Sequence, residues 1–423
     1  MVEANEIPKW MDQELFVEFL ESDFGDLKSI KEFQVEPTAG KGENYTTLLL
    51  RASFTIELNA SSPDGSQRRT SYMAKVLPTT VSTRDFVTTW KVFEKESNCY
   101  ANYLPDFEQM YREAKKKVTF GPRYYKHSKE LNEELIVLED LSRRGFRNVN
   151  RQKGFDMVHT KAALEKLAQF HAASAVRFEL KGLYPEMYDR NLCSTEDNFK
   201  EFREQQSKTF VQSLPFYNAA HMQKTIEIYS QQAEDMFQAY APKIENEFHV
   251  LNHGDAWCNN LMFQYDQEGR LRETYFVDLQ MSRYCSPAQD LLYMILTSAN
   301  GDIKIQKFDH FIHYYHEKLT ENLTLLKYPK SLPKLKSLHQ SILSYGDWIF
   351  PIVTVLLPIV LVDANENANM DALLGKEGDG VGDQFRNSLF HNARIAQHLK
   401  EVLPWAHSRG AFDVVKTAST SVD

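Results

Sequence analysis

Asn252-His253-Gly254-Asp255-Ala256-Trp257-Cys258-Asn259-Asn260, followed by Val277-Asp278-Leu279-Gln280, is the stretch on which the fold turns. It has the form H-G-D-x-x-x-x-N, then a hairpin, then D at the end of a strand, with Asp278 standing 18 residues after Asn260. Phosphoryl transfer from ATP needs three oxygen groups: a carboxylate to orient the acceptor hydroxyl and take its proton, an amide oxygen on Mg²⁺, and a carboxylate bridging the metals. Asp255, Asn260 and Asp278 are those three types in that order. H-x-D alone would fit any polar turn. The five-residue spacing to Asn260 and the downstream hairpin favour the catalytic reading.

Residues upstream come in the order a nucleotide site requires. Thr38 to Tyr45 (TAGKGENY) is predicted to join two strands, and Gly40 and Gly42 would let backbone N–H groups approach phosphate oxygens, although a plain hairpin turn would look the same. Ser71-Tyr72-Met73-Ala74-Lys75-Val76-Leu77 resembles the V-A-I-K strand that puts a lysine on the α/β-phosphates, here Lys75. Such a cation needs an acidic partner on the next helix. Phe93, Glu96 and Tyr100 share one helical face at i, i+3 and i+7, so Glu96 is the expected partner. Glu94 lies about 160° away and is expected in solvent. Leu138-Glu139-Asp140-Leu141 stands where two lobes would meet, and the backbone of Glu139 and Leu141 is predicted to bind adenine, with a simple acidic linker as the alternative.

Working outward, Ile7 to Phe24 repeats apolar residues at helical spacing, and the runs between Ser29 and Pro78 read as an antiparallel three-stranded meander. A helix over Arg84 to Tyr103 and two short strands, VTFGPRYYKH and ELIVLEDL, complete a small β-rich lobe over residues 1–138. Residues 139–423 are dominated by helical patterns: Phe155–Phe178, Asn198–Ser213, Ala219–Tyr240, Ala288–Thr297, Ile305–Leu323, Pro333–Leu356 and Gly382–Val402. Three short strands carry the H-G-D and V-D motifs inside this larger lobe. The expected class is α+β, with two lobes sharing a cleft.

Composition bounds the function. The 423 residues carry 49 Lys+Arg against 58 Asp+Glu, a net charge of −9, which argues against nucleic acid as the partner. Cys99, Cys193, Cys258 and Cys285 are widely spaced with no CxxC pair, so neither a zinc site nor a disulfide scaffold is indicated, and four thiols suit the cytoplasm. The N-terminus shows no secretory signal. The most apolar run, Trp348 to Val362, has two prolines and falls short of the roughly 20 residues that span a bilayer, so it is expected to be buried helix without membrane insertion.

The series G-x-G-E-N-Y, A-K, F-x-x-E-x-x-x-Y, L-E-D-L, Leu167-Ala168-Gln169-Phe170-His171-Ala172-Ala173-Ser174, H-G-D-x-W-x-x-N, V-D-x-Q and Asp290-Leu291 resembles the insect ecdysteroid kinase-like family, in the choline kinase and aminoglycoside phosphotransferase branch of the protein kinase-like fold. The likeness runs from about Trp10 to about Leu399. It implies ATP and Mg²⁺ as cofactors, Lys75 with Glu96 on the phosphates, Asp255 as base, and Asn260 and Asp278 on the metal. Leu279 departs from the V-D-F-Q usual in that family and keeps an apolar side chain. His253 is expected to scaffold the catalytic loop and Asp290 to brace it, while Trp257 would either line the acceptor pocket or pack in the core. H-G-D and D-L-Q in place of H-R-D and D-F-G, with no A-P-E, favour a small-molecule acceptor over a protein. That acceptor is expected to be an apolar alcohol, an ecdysteroid or hydroxylated xenobiotic. A catalytically silent ligand-binding member of the fold and a choline- or aminoglycoside-type kinase stand as alternatives, the latter permitted by the acid-rich stretch from Glu196 to Glu204. Oligomeric state is not legible.

Overall fold

The computed structural model describes residues 7–38, 47–59, 67–77, 87–128, 134–189, 197–238, 247–363 and 380–413. The meander is present as β1 (Leu27–Pro37), β2 (Leu48–Leu58) and β3 (Gln67–Val76), joined by β5 (Leu135–Glu139) and β4 (Tyr124–Tyr125) into an antiparallel sheet of order β1-β2-β3-β5-β4. Strand periodicity decides what faces the cleft. In β2, Leu48, Leu50, Ala52, Phe54, Ile56 and Leu58 all point to one buried face. They pack there with Phe16, Phe19 and Leu20 of the first helical segment and with Tyr72, Ala74 and Val76 of β3. The intervening residues of β3, Met73 and Lys75, turn to the opposite side, and Lys75 sits between Leu49 of β2 and Ile136 of β5.

The first helix starts later than its periodicity suggests: a 3₁₀ turn at Gln13–Phe16, whose cap Asp12 accepts from the Glu14 N–H (3.0 Å), leads into α1 (Val17–Phe24). The single helix expected over Arg84 to Tyr103 is also corrected. Lys91 adopts a left-handed conformation (φ 50) and separates a turn at 87–89 from α2 (Val92–Asn98). The chain then widens into a π-turn (Cys99–Tyr103) and continues as α3 (Leu104–Glu113), whose Pro105 lies in the first turn, where no N–H is missed.

In the larger lobe α4 (Met157–Lys181) is capped by Asp156, which accepts from the His159 N–H (3.0 Å), and packs along α8 (Phe308–Leu325). α5 (Asp197–Ser213), α6 (Gln223–Gln238) and α7 (Ala288–Ser298) follow the helical patterns. The short strands form two hairpin-like pairs, β6 (Val250–Asn252) with β9 (Arg283–Cys285), and β7 (Leu261–Tyr265) with β8 (Leu271–Phe276). β9, three residues long, carries too little periodicity to be read from sequence.

Two expected helices are broken. Pro333 to Leu356 becomes α9 (Leu335–Ser344), a 3₁₀ turn at Gly346–Trp348, one turn at Ile349–Pro351 and a π-turn at Ile352–Leu356; the chain bends by 53° after Ser344, and Pro351 and Pro358, which lack a helical N–H, flank the π-turn. Gly382 to Val402 divides into α10 (Gly380–Phe390) and α11 (Ala393–Ser408), separated by Asn392, whose side chain accepts from the Ile395 N–H (2.9 Å). The apolar run at Trp348 to Val362 is buried in the large core, and among the described residues no single helix is long and apolar enough to cross a membrane.

Lys304 in this lobe is a buried cation with no carboxylate partner among the described residues. Lys304 is 1% exposed, its ammonium donates to the Leu296 carbonyl, and no ion pair reaches it among the described residues. Burial pulls its pKa down to about 7, against a weaker upward pull from Cys258 and Glu401. The unfolded chain keeps this proton up to the ordinary value of 10.5, so between these limits the unfolded state binds more protons and stability rises with pH. Lys304→Met should therefore raise the melting temperature at pH 7.5 and flatten its climb between pH 7 and 10 in thermal denaturation; an unchanged slope would contradict the assignment.

Candidate active site

The H-G-D loop is held from below by Asp290, in the first turn of α7. One oxygen of this buried carboxylate accepts from the His253 N–H (2.7 Å) and the other from the Gly254 N–H (2.9 Å). His171 on α4 approaches the same group (3.2 Å) and is itself fixed by the Tyr315 hydroxyl (2.7 Å). Burial pushes the Asp290 pKa up, but the hydrogen bond and charge of His171, the charge of His253 and the Gly254 N–H outweigh it, so the carboxyl is held below its ordinary range. The loop is equally close to the segment after β8. Gly254 has φ +81, and a Cβ there would meet the Met281 carbonyl oxygen at 2.0 Å, so only glycine fits. His253 lies across the same junction: its Nε2 donates to the Val277 carbonyl (3.1 Å) and its Nδ1 accepts from the Asp255 N–H (3.3 Å). Burial lowers its pKa, against the charges of Asp290 and Asp278.

Asp255 is clamped on both oxygens. Oδ1 accepts from the Tyr293 hydroxyl, and Oδ2 accepts from Asn260 Nδ2 (2.8 Å), which also reaches the Asp255 carbonyl (2.9 Å). Burial, and after it the charge of Asp278, pushes the Asp255 pKa up to about 6, against hydrogen bonds from Tyr293, Asn260 and Trp257. Tyr293 is absent from the sequence reading. Its signal is its place three residues after Asp290 in D-L-L-Y, which puts both on one side of α7.

Across the cleft, Lys75 Nζ lies 2.6 Å from Glu96 Oε2 and 2.8 Å from Asp278 Oδ1. Burial works against its charge, but Asp278 and Glu96 together outweigh it and hold the ammonium well above the usual lysine range. Burial, and to a lesser degree Asp278, raises the Glu96 pKa against the pull of Lys75. Glu94 is exposed and pairs with Lys91 (3.4 Å), as its place on the wheel requires. Asp278 occupies a left-handed conformation (φ 63) that Asp tolerates better than most side chains.

Lys75, Asn260 and Asp278 line one cavity of about 520 Å³, together with Met73, Met262 and the junction Leu138 to Ser142. At that junction the Glu139 N–H donates to the Arg123 carbonyl (2.8 Å) and is spent on the sheet. Asp140 accepts from Ser71 Oγ (2.7 Å), Arg51 Nε (2.9 Å) and the Ser142 N–H (3.1 Å), which fixes the turn beginning at Leu141. Gly40 and Gly42 lie outside the described residues. Trp257 is buried in the main core, so the indole packs. Among the described residues no group of three or more His, Cys, Asp or Glu could hold a metal. Asn260 and Asp278 offer two oxygen donors on one wall, a set that fits Mg²⁺, which takes few protein ligands and fills its octahedron with waters and phosphate oxygens.

The family model described as the ecdysteroid kinase-like family matches residues 41–328. The chain belongs to the ecdysteroid kinase-like family. Its two-lobed α+β architecture is the kinase-like fold expected from the sequence. Among solved structures, the gentamicin–APH(2")-IIa complex matches with 12% identity and a TM-score of 0.38, covering 93% of this chain and 99% of that one. No curated protein matches.

In this ecdysteroid kinase-like chain, Asp290→Ala would leave two loop N–H groups and His171 without their acceptor. The expected loss is about 3 kcal/mol, several degrees of melting temperature by calorimetry. A melting temperature within one degree of the parent's would show that Asp290 does not brace the loop.

Proposed function

We propose that the protein transfers the γ-phosphoryl group of ATP to a hydroxyl of a small, apolar acceptor, an ecdysteroid or a hydroxylated xenobiotic. The observation that carries this is the convergence on one cavity of Lys75, Asp278 and Asn260, with Glu96 bonded to Lys75 and Asp255 bonded to Asn260. Asp255 is the group to take the proton: as the acceptor oxygen bonds to the γ-phosphorus, the bond from that phosphorus to the β–γ bridging oxygen breaks, and the hydroxyl proton passes to the Asp255 carboxylate. Lys75, oriented by Glu96, meets the phosphate charge. Asn260 and Asp278 would hold Mg²⁺, which when bound neutralises charge on the β- and γ-phosphates. The backbone of Leu141 and the carbonyl of Glu139 would meet the adenine, and residues 1–138 and 139–423 would form the two walls. The described cysteines, Cys99, Cys258 and Cys285, are free thiols, which suits a cytoplasmic enzyme.

The deciding experiment is a screen of ecdysone, salicin and choline with γ-labelled ATP; transfer to none of them, with Mg²⁺-ATP bound, would favour a silent binding member of the family.

Asp255→Asn should keep the fold and nucleotide affinity and lower turnover by roughly 10²–10⁴-fold. Tyr293→Phe frees one carboxylate oxygen and should cost a smaller part of the same rate, with the KM for ATP unchanged; parental turnover in both variants removes the base assignment.

Asp278→Ala should abolish the tightening of ATP binding by Mg²⁺ in calorimetric titration, a readout independent of turnover. A metal effect as large as the parent's would exclude Asp278 from the metal site.

A further inference from the structure

Arg51 is a cation of the same cavity as Lys75, set at its other end. On β2 it stands directly across from Met73 of β3, which stands across from Leu138 of β5. All three line the cavity, in one row across the sheet that ends at the junction Leu138 to Ser142. The neighbouring cavity-lining row pairs Leu49 with Lys75 and belongs to the phosphates. Two residues of strand, about 7 Å, part the rows. A direct bond ties the guanidinium to the junction: Arg51 Nε donates to Asp140 Oδ2 at 2.9 Å. Asp140 lies between Glu139 and Leu141, whose backbone groups are the ones assigned to adenine.

That bond also decides what the guanidinium can offer a ligand. Burial pushes the Asp140 pKa up, but bonds from Ser142 and Ser71 and the charge of Arg51 outweigh it, so the carboxyl is held below its ordinary range. The positive charge of Arg51 is thus matched by a carboxylate in contact with it, and little is left to draw a phosphate. What remains is a plane. Glu36 stands 4.0 Å from Nη1, past hydrogen-bond reach, and the side chain is 33% exposed on the cavity wall. A guanidinium is planar and weakly hydrated, and it stacks on aromatic faces. Met262 and Val277 bring apolar surface to the same cavity from the larger lobe. A flat base bonded by its edge to the Glu139 carbonyl and the Leu141 N–H would lie between Met262 on one side and Met73 with Arg51 on the other.

We infer that Arg51, held flat by Asp140, is a nucleotide-binding residue that stacks on the purine of ATP and leaves the phosphates to Lys75. This rests on the ATP site proposed above and deepens it, dividing recognition of the base and of the phosphates between two cations on adjacent rows of one sheet.

The test titrates the full chain by calorimetry with Mg²⁺-ATP, with adenosine and with Mg²⁺-tripolyphosphate, which carries the phosphates without a base. Arg51→Ala should weaken ATP and adenosine by the same factor, roughly tenfold, the size of a lost base stack. Tripolyphosphate should stay within about twofold of the parent, which also shows that the variant keeps its site. Arg51→Lys, which retains the charge and loses the plane, should behave as Arg51→Ala does. Transfer from γ-labelled ATP is measured beside these titrations. A parent that binds Mg²⁺-ATP and transfers nothing defeats the phosphotransfer reading, and the titrations still decide the role of Arg51. Adenosine affinity unchanged in Arg51→Ala overturns the inference. So does a loss shared equally by tripolyphosphate, parental adenosine affinity in Arg51→Lys, or binding of none of the three probes by the parent.

Discussion

One ammonium between two carboxylates fixes the cleft. Lys75 belongs to the small sheet and Asp278 to the segment that follows β8, 203 residues away in the chain, and their 2.8 Å contact joins the two lobes at the floor of the cavity. Removing Lys75 would leave two carboxylates without their cation, so both depend on the one ammonium.

Asp290 performs the corresponding service for the backbone. The loop that carries Asp255 has N–H groups that no helix or sheet satisfies, and the two from His253 and Gly254 are gathered by a single carboxylate on α7. The same helix sends Tyr293 to Asp255. One rigid element thus fixes both the path of the loop and the rotamer of its functional side chain, and a shift of α7 would move both together.

The parts of this design that were legible in the sequence are those encoded by short spacing. The alternation in β3 puts Lys75 opposite the packed face, the i, i+3 step puts Glu96 beside it and leaves Glu94 outside, and the H-G-D-x-x-x-x-N interval brings Asn260 back to Asp255. What escaped depends on tertiary contact or local backbone strain. Lys91 breaks a helix by adopting a conformation that composition does not announce; the chain bends after Ser344 inside a pattern that reads as one helix; and β9 exists because β6 is there to pair with it. Tyr293 was missed for the same reason, since it is an ordinary residue whose meaning comes from what lies opposite.

The left-handed backbone at Asp278 carries a consequence of a different kind. Glycine is the residue that conformation prefers, so if Asp278 handles phosphate as proposed, the backbone and the chemistry select for different side chains at this position. A descendant released from that proposed role could replace Asp278 with glycine and relax its main chain in the same step. Loss of the carboxylate and gain of backbone ease would then coincide at a single codon.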